Sequence, residues 1–281
     1  MEEQSIQIRE QQKASWNRFS SGWKKWDELN MEFLRPVGEE MIRLLHPQNN
    51  DFVLDIAAGT GEPGLTIATL IPEGKVMITD LSPGMLEIAK ENALHRGIQN
   101  IETKACDVCE LPFADNTFDA VSCRFGFMFF PDMLLAVKEM SRVLKPGGRI
   151  VATVWNGPEK NFWVSAVMDV IKREMNLPVP PSGSPGIFRC AKDGLMTDLF
   201  FQAGFTKVVS KEIPGKLKCE TVDLYWNMMT ELAAPVVSAL TTANDKQKEK
   251  MKNEVYSLLN QKFPNGNLTL DSSATLIYGE K

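Results

Sequence analysis

The chain has 281 residues, 43% hydrophobic and 24% charged, an ordinary globular composition and enough length for one α/β domain with insertions. Its 31 basic against 36 acidic residues leave a net charge of −5, which argues against a nucleic-acid partner, whose phosphates call for clustered Lys and Arg. Five cysteines at irregular spacing suit free thiols; a polar start, MEEQSIQIREQQK, and no apolar run near the roughly 20 residues of a membrane span set the expectation of cytoplasmic residence without an integral membrane segment.

Residues 5–30 read as a helix with Trp16, Phe19, Trp23 and Trp26 on one stripe, because residues three and four apart share a helix face. A second helix over about 33–46 ends near His46-Pro47, and residues 1–48 are expected to form a helical lid. The apolar run 52–56 reads as a buried strand, followed by a glycine-rich turn and a helix from 65 to 70. Strand 75–79, helix 83–95, strands 101–105 and 118–123, helix 132–144 and strand 149–154 follow. This alternation predicts a doubly wound, mostly parallel Rossmann-like sheet.

Beyond Trp155 the rhythm loosens. Residues 156–196 hold a helix and the loop LPVPPSGSPG, too rich in Pro and Gly for regular structure. Helix 193–203, strand 207–213, a mainly helical stretch over 221–262 and a last strand at 274–278 complete the pattern. Residues 49–281 thus read as one ligand-binding domain with insertions at 156–196 and 214–268, which together with the N-terminal helices form a cap.

Four segments carry chemistry. In VLDIAAGTGEPG, residues 53–64, a strand runs into a glycine turn and a helix start. Gly59 and Gly61 allow close approach of backbone to a ligand, and Asp55 lies at the carboxyl end of the strand, where such sheets bind their ligands. A carboxylate pointing into the site suits a ligand with an amino group and a sulfonium better than a pyrophosphate. Asp80, about 20 residues on and followed by Leu81, is placed to accept both ribose hydroxyls; Pro83 suits a first helical turn, and Met85 offers a thioether to an adenine face. Cys106-Asp107-Val108 supplies an acid and a backbone N–H for an adenine edge. The fourth segment, residues 116–126, brings Arg124 and Phe125 to the end of a strand. The pair Cys106-x-x-Cys109 has no second CxxC and no nearby histidine, so it reads as incidental and no metal is expected.

The stretches VLDIAAGTGEPG, ITDLSPGMLEIAKENA, ACDVCELPFADNTFDAVSCRFGFMFFPD and EMSRVLKPGGRIVATVW resemble, in order and spacing, class I S-adenosylmethionine-dependent methyltransferases, and most of all the group similar to the ubiquinone/menaquinone-biosynthesis C-methyltransferases. The resemblance covers roughly residues 50–156. It implies S-adenosyl-L-methionine as cofactor, with Ala57, Gly59 and Gly61 along its methionine half, Asp80 on the ribose, Met85 on the adenine face, Asp107 and Val108 at the adenine edge, and Arg124 and Phe125 near the methionine portion and the acceptor. Ala57 departs from the glycine that many members carry at the start of the turn.

A sulfonium methyl group is already activated, so alignment of the acceptor and exclusion of water are the main demands. His46 and His95 are poor candidates for a base, and the sequence does not choose among Asp27, Glu28, Tyr225 and Glu231. Phe125, Phe127, Met128, Phe129 and Phe130, with Phe162, Trp163, Tyr225, Trp226, Met228 and Met229, favour an apolar or aromatic small-molecule acceptor. The aromatic stripe of the first helix has two readings, a face packed on the fold or the inner face of a lid. Alternatives remain at this stage: an RNA or protein methyltransferase, although Cys123-Arg124-Phe125-Gly126 stands where an Asn-Pro-Pro-Tyr type motif would; a nicotinamide-dependent dehydrogenase, since Gly59, Gly61 and Gly64 also satisfy its glycine spacing; and a binding protein without an acceptor site.

Overall fold

The structure, a computed structural model, describes residues 2–178, 180–181 and 183–281. Two helices, α1 (Glu2–Lys25) and α2 (Asp27–Leu45), precede the alternating region β1 (Phe52–Ile56), α3 (Gly64–Leu70), β2 (Lys75–Asp80), α4 (Pro83–His95), β3 (Ile101–Ala105), β4 (Phe118–Arg124), α5 (Met133–Val143) and β5 (Leu144–Trp155). The chain continues through α6 (Phe162–Met175), α7 (Leu195–Gln202) and β6 (Thr206–Cys219), then α8 (Val222–Leu232), α9 (Ala234–Thr242) and α10 (Asp245–Lys262), and ends in β7 (Leu268–Glu280).

The seven strands form one sheet in the order β3-β2-β1-β4-β5-β7-β6. The pairs from β3 to β5 are parallel, whereas β7 runs antiparallel to both β5 and β6, so β7 alone is reversed. The order turns back between β1 and β4, and a crevice opens at such a switch point outside the carboxyl ends of the strands. Side chains of the parallel strands, such as Val53, Ile78, Val121 and Val151, are fully buried, as expected when helices cover both faces.

Local chemistry explains the helix starts. Ser82 accepts the Met85 N–H at 3.2 Å and Pro83 takes the first turn of α4; Asp132 caps α5 through Leu135 N at 2.9 Å; Asn244 and Gln247 form a capping box on α10. Each supplies an acceptor to amides that have no partner within the helix.

Three boundaries differ from the sequence reading. The helix expected to run to residue 30 breaks at Trp26, whose indole N–H is drawn out to Glu231 Oε2 at 2.8 Å while Asp27 and Glu28 open a new first turn, where acids are favoured. Strand β6 runs to Cys219 and not to Ile213, because it pairs with β7 along its length, from Thr206↔Glu280 to Cys219↔Leu268. Residues 214–219 therefore belong to the sheet and not to an insertion. Pro214 is tolerated because β6 is an edge strand. Strand β5 likewise begins at Leu144. Of the loop LPVPPSGSPG, Val179 and Ser182 lie outside the described residues; the rest carries neither helix nor strand. Among the described residues no helix is long and apolar enough to cross a membrane.

Candidate functional site

A large cavity lies over the carboxyl ends of β1, β2, β3 and β4 and beneath α1, α2 and α8. The strand side is set by the turn after β1. Ala57 and Gly59 have φ of 52° and 56°, the left-handed region that costs a residue with a Cβ roughly 1–2 kcal/mol. That conformation explains why a glycine would suit position 57. A Cβ added at Gly59 would meet no atom within 4 Å and would project into the cavity, so the bare backbone is what leaves room there.

Asp80 fixes the turn from the next strand. Its Oδ2 accepts Gly59 N at 3.0 Å and its Oδ1 accepts Ser82 N at 2.8 Å. Each oxygen keeps a free lone pair, and the carboxylate lines the cavity. Burial pushes its pKa up, against these backbone N–H bonds. Leu81, Met85, Cys106, Asp107 and Val108 line the same wall, so the structure brings the second and third motifs together as expected.

Two candidates are corrected. Asp55 does not face the cavity: it is fully buried, with Oδ2 accepting Gly64 N at 2.9 Å and Oδ1 accepting Ser122 Oγ at 2.6 Å. It ties the helix start to β1 and β4 from below, and burial pushes its pKa up to about 7. Gly61 is also absent from the cavity wall; a Cβ there would come 2.7 Å from Leu65 Cδ1, so this glycine serves packing. Strand-end position alone does not tell which acid points outward.

Arg124 and Phe125 line the far side. Among the described residues the Arg124 guanidinium hydrogen-bonds only to Met31 Sδ, at 3.5 Å. Asp27, Glu62 and Asp55 act on it electrostatically, while burial lowers its pKa; an arginine remains charged. Phe125 has φ 61° and stacks on Trp155 with ring centroids 4.2 Å apart. Phe33 stacks on the other neighbourhood of Trp155 at 5.9 Å, and Trp163 packs against both. Residues held in sparsely populated backbone regions cluster at functional sites.

The aromatic stripe divides between its two readings. Trp16 and Trp23 line the cavity, Trp16 meeting Phe129 edge-on at 5.2 Å. Phe19 is buried in packing, and Trp26 bonds to Glu231. Of the apolar run after β4, Met128, Phe129 and Phe130 line the cavity while Phe127 packs on Phe200. Trp163, Met228 and Met229 line it too; Phe162, Tyr225 and Trp226 do not. The Tyr225 hydroxyl donates to Trp163 O at 2.8 Å, and burial raises its pKa.

The sequence reading missed Arg9, Gln12, Asn30 and Glu62, all in the wall. Arg9 is seven residues before Trp16 and fourteen before Trp23, so helical spacing could have found it. Its Nη1 pairs with Asp107 Oδ2 at 3.0 Å, while Asp107 Oδ1 accepts Cys109 N at 2.9 Å. Glu62 is held by Arg96 and Thr66 N. Asp27 accepts Thr60 Oγ1 at 2.9 Å and its pKa is raised by burial, but Asp27, Glu28, Tyr225, Glu231, His46 and His95 are all outside the wall. The thiols of Cys106 and Cys109 are free, and burial pushes them up to about 11 and about 12, so both are protonated at neutral pH.

Residues 53–148 match a family model described as a methyltransferase domain. The chain is 42% identical over 112 residues to the ubiquinone/menaquinone biosynthesis C-methyltransferase UbiE of Cellvibrio japonicus, across 39% of this chain and 45% of that protein. It is 36% identical over 140 residues to a demethylmenaquinone methyltransferase of Staphylococcus aureus, across 48% and 57%. The chain thus spans about half the length of the curated relatives it matches. Among solved structures, the YcgJ protein of Bacillus subtilis superimposes with a TM-score of 0.56 at 21% identity, over 87% of this chain and 97% of that one, which shows the Rossmann-like fold. In sequence the chain is similar to class I S-adenosylmethionine-dependent methyltransferases of the UbiE group.

Proposed function

We propose that this protein transfers a methyl group from S-adenosyl-L-methionine to a small apolar or aromatic acceptor. The observation that carries the reading is one cavity with two unlike walls: a polar wall of strand ends around Asp80, Gly59 and Arg124, and a facing wall of aromatic and methionine side chains on α1, α2 and α8. The relatives named for ubiquinone/menaquinone biosynthesis and for demethylmenaquinone favour a quinone-class ring as acceptor.

The residues present fit the cofactor. The free lone pairs of Asp80 suit two ribose hydroxyls, Met85 and Val108 the adenine faces, and the open backbone at Gly59 a close approach. Arg124, a cation without an ion-pair partner among the described residues, suits the carboxylate of the methionine half, with Glu62 near enough in the same wall to favour its ammonium group. When bound, S-adenosylmethionine supplies a methyl group activated by its sulfonium. The chain then has to orient the acceptor and exclude water, which is worth several kcal/mol without acid or base. Phe125 and Trp155 are stacked and, with Trp16, Trp23 and Phe129 in the same lining, suit an aromatic ring. None of Asp27, Glu28, Tyr225 and Glu231 lines the cavity, which agrees with a reaction driven by alignment.

We further propose a cytoplasmic protein with no nucleic-acid partner, on the net charge of −5 and an apolar cavity wall. Thermal shift with S-adenosylhomocysteine, NADH and an RNA oligonucleotide tests the reading, since a ligand that binds the native state raises the melting temperature. A rise with S-adenosylhomocysteine alone is expected; a rise with NADH and none with S-adenosylhomocysteine would overturn it.

A further inference from the structure

Two N–H donors in the aromatic wall have no acceptor. Trp23 Nε1 and Asn30 Nδ2 are both buried and unpartnered among the described residues, and both residues line the cavity. Asn30 is 7% exposed. A buried donor left without a partner costs roughly 1–3 kcal/mol, and such groups are rare enough in folded proteins that each calls for an explanation. They stand on either side of the break at Trp26, Trp23 near the end of α1 and Asn30 in the first turns of α2.

The protein itself offers them nothing. None of the cavity carboxylates bonds to either donor; their partners are Gly59 and Ser82 for Asp80, Arg9 and Cys109 for Asp107, and Arg96 and Thr66 for Glu62. Apolar side chains such as Trp16, Phe33, Met228 and Leu232 line the cavity with them, and Gln12, also in the lining, bonds to neither donor. An indole N–H only donates, so Trp23 fixes what can satisfy it: an oxygen or another acceptor, never an ammonium group.

We infer that Trp23 and Asn30 recognise an oxygen atom of the methyl acceptor, which makes the acceptor a hydroxyl- or carbonyl-bearing ring and not a hydrocarbon or a protonated amine. This rests on the methyltransferase reading and deepens it. A site that hydrogen-bonds a ligand oxygen rejects the analogue without it, because its own donors are then left unpaired. The pair belongs to α1 and α2 and not to the strand that ends in Asp80, so it is expected to discriminate among acceptors and leave the nucleotide half unchanged.

Equilibrium dialysis of the whole chain against 1-naphthol and 1-methylnaphthalene, which differ by a hydroxyl in place of a methyl group, reads the discrimination directly. The unmodified protein is expected to bind 1-naphthol about tenfold more tightly, the worth of one or two net hydrogen bonds. In the double variant Trp23→Phe/Asn30→Leu the two ligands bind within about twofold of each other. Asn30→Asp, which replaces a donor by an acceptor, loses the preference by itself and serves if the double variant does not fold. Equal binding of the two ligands by the unmodified protein, or an undiminished preference in Asn30→Asp, overturns the inference. S-adenosylhomocysteine titrated separately reports on the cofactor reading alone, and its affinity is expected to stay unchanged in both variants.

Discussion

Asp80 and Trp23 line one cavity, yet they are held in place by different means. Asp80 sits at the end of β2 with both oxygens tied to backbone amides, so its position follows from the sheet. Trp23 rides on a helix that reaches the fold through side chains: Asn17 Oδ1 accepts Ser82 Oγ at 2.6 Å and Gly84 N at 3.1 Å, Lys24 pairs with Glu91 at 2.5 Å, and Lys25 and Trp26 both reach Glu231. Most of these lid contacts are exposed, and exposed pairs contribute little, about 0–1 kcal/mol each. The strand side is therefore the rigid half.

The contrast can be broken most directly at Asp80. Asp80→Ala is expected to weaken S-adenosylhomocysteine by about 150-fold or more by isothermal titration, from two lost bonds to a charged group at about 1.5–3 kcal/mol each. An unchanged affinity would remove the strand wall from the argument altogether.

Next in size is the lid contact at Gly22, where a Cβ would come 2.4 Å from the Glu231 carbonyl oxygen. Gly22→Val forces α1 away from α8, and overpacking of this kind costs typically 1–3 kcal/mol. We expect about a tenfold loss of 1-naphthol affinity with less than a threefold change for S-adenosylhomocysteine. Equal losses for both ligands would mean that the two walls are not separable.

Asp55 sharpens the strand half through pH. Its folded pKa of about 7 lies above the ordinary 3.8, so folding takes up a proton between those values. The stabilisation is complete below about pH 4 and is lost as pH rises through 7, at up to about 1.4 kcal/mol per pH unit. Asp55→Asn lacks this titration, so the stability of the unmodified chain relative to the variant should fall as pH rises from 4 to 7 in urea melts. A constant difference across that window would show that Asp55 is ionised throughout.

The smallest expected effect is at the seam between the walls. Arg9 and Asp107 form a partly exposed pair at 3.0 Å, with side chains 30% and 14% exposed. Arg9→Ala should change S-adenosylhomocysteine affinity by about two- to fivefold and stability by less than about 1 kcal/mol. A larger loss of affinity, measured by the same titration, would make Arg9 part of the nucleotide site and not a clasp of the lid.

Much of the strand half was legible in the residues alone. Short apolar runs, a glycine turn, a capping serine before Pro83 and an acid at the end of the second strand are local signals, and each element they announce is present near its expected place. Local signals could not say which way a strand-end carboxylate turns. Asp55 and Asp80 look alike in sequence, and only the neighbouring Ser122 on β4 and the amide of Gly64 draw the first one inward. The lid was legible as helices but not as a wall.

What the amino-acid sequence determined by itself was the kind of fold and the order of its ligand-binding turns, because hydrophobic period, glycine and caps act over a few residues. Tertiary structure alone decided that Trp16 and Trp23 face the cavity while Phe19 and Trp26 do not, that Arg9 meets Asp107 across 98 positions, and that Trp23 and Asn30 are left without acceptors. Those outcomes depend on where α1 docks on α4 and α8 and where α2 docks on β4, β5, β6 and β7, and docking sums many weak contacts between segments far apart in the chain.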